Sequence, residues 1–177
     1  DIHVGSQFRE DVFEKTIDEI NSLKPEAVVI TGDLTNEGLI EQYEKCKKMV
    51  TQIDVEKIIA ISGNHDYRNT GYLLFKKYFP FKTENELGED VILVTLGSAR
   101  PDRDEGEVGH HQNVWLERTL KKYEDKLKIV AMHHHLIGIP DTGSDRLTVI
   151  DAGDVLRTVL DSLSLIHISE PTRLLSI

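Results

Sequence analysis

The chain has 177 residues and one cysteine, Cys46, so it can form no internal disulfide; that fits a reducing, cytoplasmic setting. It also lacks long apolar runs: nothing approaches the ~20 residues that a membrane span needs, and no signal-peptide pattern is visible. Positive charge is scarce, with 21 Lys and Arg against 31 Asp and Glu and a net charge of −10. Broad, nonspecific binding to nucleic acid or to an anionic membrane needs a basic surface, and this balance argues against both. It does not argue against a phosphorylated substrate, because a pocket that holds metal ions is locally positive. Internal repeats and low-complexity segments are absent as well.

What is present is the composition of one globular domain, 39% hydrophobic, long enough to bury roughly two-thirds of its unfolded surface. Helical and extended patterns alternate along it. Phe8 to Leu23 carries Phe13, Ile17 and Ile20 at helical spacing, with acids and lysines between them. "PEAVVITGDL" reads as a buried strand over Ala27 to Thr31 that ends in a tight turn at Gly32. Leu39 to Val50 is a second amphipathic helix, and "EKIIAISGNHD" repeats the strand pattern from Ile58 to Ile61. Further helices are expected over Tyr72 to Phe79, Asn113 to Tyr123 and Asp151 to Leu160. Further strands are expected in "DVILVTLGS" and "KLKIVAMHHH", and "SARPDRDEGEVG" and "GIPDTGSDR" are the main loops. Near-continuous apolar strands covered by helices imply an α/β layered domain.

The informative feature is the set of polar residues at the end of each apolar run. Asp33 ends the first, Asn64, His65 and Asp66 the second, and His133, His134 and His135 that of "KLKIVAMHHH". In layered α/β folds, ligands sit beyond the carboxyl ends of the strands, where residues from separate strands converge. Asp, Asn and His make a mixed nitrogen and oxygen set without thiolate, suited to hard or borderline divalent metals. Gly32 and Gly63 beside them permit sharp turns and close backbone approach. A second pair, Asp1 and His3, opens the chain in "DIHVGS".

In that order, Asp1-Ile2-His3, Gly32-Asp33, Gly63-Asn64-His65-Asp66 and His133 within "AMHHHLIGIP" resemble the calcineurin-like metallophosphoesterase superfamily. Its pattern runs D-x-H, G-D, G-N-H-[DE], a histidine after a strand, and G-H-x-H. "HQNVWLERTL" is similar to a helix in the branches related to cyclic-nucleotide phosphodiesterases. The fold this implies is a four-layer αββα sandwich, two sheets flanked by helices. The resemblance covers Asp1 to about Ser162, and it implies an incomplete domain without the strand preceding D-x-H and without the G-H-x-H part. The last stretch, "LSLIHISEPTRLLSI", resembles a translated sequencing adapter, so the expected division is a domain over 1–162 and a non-native tail over 163–177.

The resemblance further implies a metal-dependent phosphoesterase, hydrolysing phosphate mono- or diesters, with a phosphodiesterase of small substrates such as cyclic nucleotides as the leading expectation. Two divalent metal ions are implied, Mn, Fe or Zn first, with Co and Ni compatible. Asp1 and His3 would bind the first metal, Asn64 and His133 the second, and Asp33 would bridge them; His134 is the alternative to His133. Two such metals lower the pKa of a shared water and clamp phosphate oxygens for in-line attack. His65 would face the leaving oxygen as acid or hydrogen-bond donor, and Asp66 would orient it. With the set incomplete, these 177 residues alone are expected to show little or no turnover. The alternatives are a DNA-repair-type nuclease of the same superfamily, disfavoured by "GDLTNEG" and by the acidic balance, and a non-catalytic scaffold for protein partners. His110 and His111 read as solvated residues before a helix, and Asp141, Asp145 and Arg146 as a solvated loop within reach of substrate.

Overall fold

The computed structural model describes residues 1–5, 7–79, 84–138 and 147–162, and the backbone of 165–169. Asp141, Asp145 and Arg146 lie outside the described residues, as does most of the expected non-native tail. Among the described residues no helix is long and apolar enough to cross a membrane.

The elements run α1 (Glu10–Leu23), β1 (Ala27–Ile30), α2 (Ile40–Val50), β2 (Lys57–Ala60), α3 (Gly71–Tyr78), β3 (Glu84–Leu87), β4 (Val91–Thr95), α4 (His110–Lys122), β5 (Leu127–Met132), α5 (Ala152–Asp161) and β6 (Leu165–Ser169). β1 and β2 pair in parallel, and Val4 adds a bridge to Thr35 just beyond β1. The second sheet has the order β3-β4-β5-β6, parallel except for the antiparallel edge strand β3.

Alternation along the strands explains how these pieces stack. Side chains on a strand point to opposite faces in turn, so a strand buried on both faces must be apolar throughout. From β2 and the residue after it, Ile59 and Ile61 meet Leu93 of β4 and Ala131 of β5, which is the seam between the two sheets. The other face of the first sheet, with Val28, Ile30, Ile58 and Ala60, packs on Ile17 of α1, Tyr43 and Met49 of α2 and Phe75 of α3. The outer face of the second sheet, Ile92, Val94, Val130 and Met132, packs on Leu116 and Leu120 of α4 and Val155 and Val159 of α5. The result is helix, sheet, sheet, helix, the four layers expected.

Helix ends follow local chemistry. Glu10 and Asp11 sit in the first turn of α1, where acids favour the helix dipole, and α1 stops at Lys24 in the left-handed region, one residue before Pro25. α4 begins at His110, three residues ahead of the expected start, because its first turn carries no apolar signal. His110 and His111 are therefore exposed residues of the helix rather than of the loop before it. The sequence does not predict β3: "ENEL" has no apolar run, and its place at the sheet edge leaves Glu84 and Glu86 free to pair with Lys122 and Lys126.

Candidate metal centre

The ends of β1, β2 and β5 open on one cleft of about 230 Å³, walled by Asp1, His3, Asp33, Asn64, His65 and His133. The backbone there is strained. Asp33 (φ 49°) and His3 (φ 52°) both occupy the left-handed region, and the amide nitrogens of Ile2 and His3 both donate to the Asp33 carbonyl, at 2.9 and 2.8 Å. Gly32 has φ 118°, and a Cβ on it would run into Nδ1 of His133 and stand 2.9 Å from the Gly63 nitrogen. Only glycine lets the first turn lie against the histidine from the other sheet.

Asp33 is central. Its Oδ1 accepts from the His65 backbone nitrogen at 2.9 Å, while Oδ2 lies 3.5 Å from His3 Nε2 and 3.6 Å from His133 Nε2. His3 Nε2 is also 3.9 Å from Asp1 Oδ2. The carboxylate thus stands between the two histidines, as a bridging ligand would.

His133 shows what the cleft needs. Its Nδ1 lies 2.9 Å from the Thr31 carbonyl, which can only accept, so Nδ1 carries a proton. In a neutral ring Nε2 is then a lone pair, and it faces Asn64 Oδ1 at 3.1 Å and Asp33 Oδ2 at 3.6 Å. Three acceptors converge on one point, which requires positive charge: a proton on Nε2 or a metal ion in its place. His3 adds an orphan, its Nδ1 being buried without a hydrogen-bond partner. Among the described residues, three side-chain carboxylates, of Asp1, Asp33 and Asp104, line the cleft against one guanidinium, that of Arg68, already paired with Glu37 at 3.3 Å. An acceptor-rich, acid-rich cleft of this kind fits divalent metal ions and, without them, would repel a phosphate.

The histidine triplet divides by geometry. Both nitrogens of His134 are taken, Nε2 donating to the Asp104 carbonyl at 3.1 Å and Nδ1 accepting from the Ser98 hydroxyl at 2.8 Å. Burial, and then the neighbouring His133, push its pKa from 6.5 down to about 3, so it is a neutral strut without a free lone pair for a metal. His133 is the histidine that faces Asp33 and Asn64.

Two expectations change. Asp66 does not orient the His65 ring: His65 Nδ1 lies 2.8 Å from the Asn36 carbonyl. The Asp66 carboxylate, wholly buried, instead accepts from Leu34 N, Thr35 N, Thr35 Oγ1 and Gly63 N at 2.8 to 3.2 Å, lacing the turn after β1 to the turn after β2. Burial, and then the charge of Asp33, raise its pKa to about 6. His65 itself lies closer to the candidate ligands than expected, since a ring nitrogen belongs to a cluster with His3 and Asp33 whose donor atoms lie within 4.8 Å of one another. Burial is also the main cause lowering its pKa. Sequence reasoning missed Arg68 and Asp104: "PDRDEG" offers several acids in one loop, with no periodicity to tell them apart.

A family model described as calcineurin-like phosphoesterase matches residues 1–160. The chain is 34% identical over 122 residues to a probable glycerophosphodiester phosphodiesterase of Arcobacter nitrofigilis, covering 65% of this chain and 44% of that protein. It is 27% identical over 148 residues to a probable cyclic nucleotide phosphodiesterase of Vesicomyosocius okutanii, covering 84% and 61%. A cAMP/cGMP dual specificity phosphodiesterase of Mycobacterium tuberculosis is 24% identical over 142 residues, covering 73% and 43%. The chain thus spans about half the length of the curated relatives it matches. With the four-layer fold and this cleft, the match shows that the chain belongs to the calcineurin-like phosphoesterase family, which works with divalent metal ions.

Proposed function

We propose that this chain carries the metal-binding face of a phosphodiesterase that hydrolyses small phosphodiesters, of the cyclic-nucleotide or glycerophosphodiester kind named for its relatives. The observation that carries this reading is the convergence of side chains on Asp33, with His133 Nε2 and His3 Nε2 at 3.6 and 3.5 Å from its Oδ2. Asp1 and His3 would hold one divalent ion, Asn64 and His133 another, and Asp33 would serve both; Mn, Fe and Zn are the leading identities. Metals bound there would polarise the phosphate and supply a nucleophilic water at neutral pH.

The chain's own groups do the rest. The Thr31 carbonyl fixes the His133 tautomer with its Nε2 lone pair turned inward. The Asn36 carbonyl does the same for His65, leaving Nε2 as the nitrogen able to exchange a proton with a leaving oxygen. Burial lowers the pKa of that ring, and the charge of Asp33 offsets this only in part. Asp66 holds the two turns in register.

The test is calorimetric titration of the metal-free chain with Mn²⁺, alongside hydrolysis of bis(4-nitrophenyl) phosphate. Mn²⁺ uptake by the parent that is lost in Asp33→Asn, with any Mn²⁺-dependent turnover lost in parallel, is expected. Mn²⁺ uptake unchanged in Asp33→Asn, or measurable Mn²⁺-dependent turnover that survives it, would overturn the reading.

A further inference from the structure

Among the residues facing the proposed metal position, Asn64 is one whose donor atom is not fixed by its own chemistry. A carboxylate presents oxygen whichever way it turns, and the His133 tautomer is set by Thr31. An amide, by contrast, presents either oxygen or NH₂, and a half-turn would aim an N–H at the metal position. Something must choose.

The choice is made from a loop forty residues on. Asn64 Nδ2 lies 3.1 Å from Asp104 Oδ1, and a carboxylate only accepts, so the NH₂ belongs on that side. Oδ1 is then left facing His133 Nε2 at 3.1 Å and the position beside Asp33. Asp104 is itself held at both ends. Arg68 Nη2 lies 3.6 Å from the same Oδ1, and the Asp104 carbonyl accepts from His134 Nε2 at 3.1 Å. The strut continues through His134 Nδ1 to the Ser98 hydroxyl, which also accepts from the His134 backbone nitrogen at 3.3 Å.

The rest of the loop is fastened independently. Asp102 N donates to the Tyr67 carbonyl, Glu107 N to Ser98 and Gly106 N to Thr148. Asp151 accepts from Val108 N and Gly109 N at 3.0 and 2.7 Å. The Asp104 side chain is 64% exposed and takes no part in these anchors, so its loss leaves them in place while removing its contacts with Asn64 and Arg68.

We infer that Asp104 is a positioning residue that sets the orientation of the Asn64 amide, so that the loop over 97–109 governs occupancy of the metal position shared by Asn64, His133 and Asp33. The inference rests on the metal-centre reading of the cleft. Arg68, in this arrangement, keeps Asp104 in place and is not a free anion receptor, since Glu37 and Asp104 already share its charge.

The experiment is Mn²⁺ titration of the metal-free chain carrying Asp104→Ala, Asp104→Glu or Asn64→Ala, with thermal unfolding of each metal-free variant as the check on folding. Partners that orient metal ligands are typically worth about ten- to a hundredfold in affinity, and the exposure of Asp104 places the expected loss in Asp104→Ala near the lower end, about tenfold. Asp104→Glu, which keeps an acceptor-only group, should recover most of it. A ¹⁵N spectrum of the metal-free chain adds a readout that involves no metal: the Asn64 NH₂ pair should shift in Asp104→Ala and less in Asp104→Glu. If Asn64→Ala weakens Mn²⁺ binding and Asp104→Ala does not, the positioning role is wrong while the metal centre stands. If neither weakens it, or the parent takes up no Mn²⁺, both readings fall.

Discussion

Gly63 offers the most direct trial of how the cleft is built. It lies between β2 and Asn64, and its φ is not in the left-handed region, so alanine there carries no backbone penalty of that kind. Any effect of Gly63→Ala must come from what the new methyl meets. It would run into Asp33 Oδ1 and stand 2.5 Å from the Asp33 backbone nitrogen and 2.8 Å from Cγ. The carboxylate could swing aside; the backbone nitrogen could not. Forcing a methyl into packed structure costs roughly 1–3 kcal/mol. Displacing Asp33 Oδ1 also breaks its bond from the His65 nitrogen, a charge-assisted bond worth about 1.5–3 kcal/mol. Together these give a loss of about 2.5–6 kcal/mol, which for a domain of this size lowers Tm by roughly 5–24 °C. The assay is thermal unfolding by circular dichroism in EDTA, so that metal affinity plays no part. A Tm within about 2 °C of the parent would refute the claim that the two turns touch through this glycine.

Gly153 is the matched control: in α5 a Cβ on it meets nothing within 4 Å, so Gly153→Ala should raise stability by about 0.5–1 kcal/mol in the same assay. Leu116 is fully buried under the second sheet, and Leu116→Ala should cost about 2–5 kcal/mol by urea titration. Burial pushes the Cys46 thiol up to about 12, so the native chain should not react with a disulfide reagent at pH 8 until it is unfolded. Burial, then the charge of Asp66, raise the pKa of the Tyr43 phenol, which donates to the Asp66 carbonyl at 2.6 Å. A raised pKa means stability that is fully present below the unfolded value near 10 and lost as pH climbs past it. The alkaline slope of stability should therefore be shallower in Tyr43→Phe, as read by urea unfolding between pH 9 and 11.

Much of this fold was legible because its strands carry apolar residues on both faces. "AVVI", "KIIA" and "LKIVAM" are apolar without a break or nearly so, and the polar residues after them mark the sheet ends where a cleft must lie. β3 was illegible for the opposite reason: as an edge strand its outward Glu84 and Glu86 take lysine partners, and only Asn85 is buried. The first turn of α4 carries no apolar residue and so gave no period to read. In the cleft, motif order alone groups Asp1, His3, Asp33, Asn64, His65 and His133, and the fold brings the same six together in space. The partners of those residues were not legible. Whether Asp66 meets His65 or the backbone of Leu34, Thr35 and Gly63 depends on how two turns face each other, and neighbours in sequence need not be neighbours in space. The same holds for Asp104, whose contact with Asn64 joins residues from different layers.

Asp33 and Asn64 stand at the ends of one sheet and His133 at the end of the other, with Ile59, Ile61, Leu93 and Ala131 between the two layers. A cation gripped from both sides is a cross-link, and mass action makes its affinity part of the stability of the sheet-to-sheet junction. At a hundred times its dissociation constant a bound ion adds about 2.7 kcal/mol. If the centre binds its ions as proposed, chelation should loosen the molecule along that seam, and metal supply would bear on how tightly the two halves of the domain stay closed.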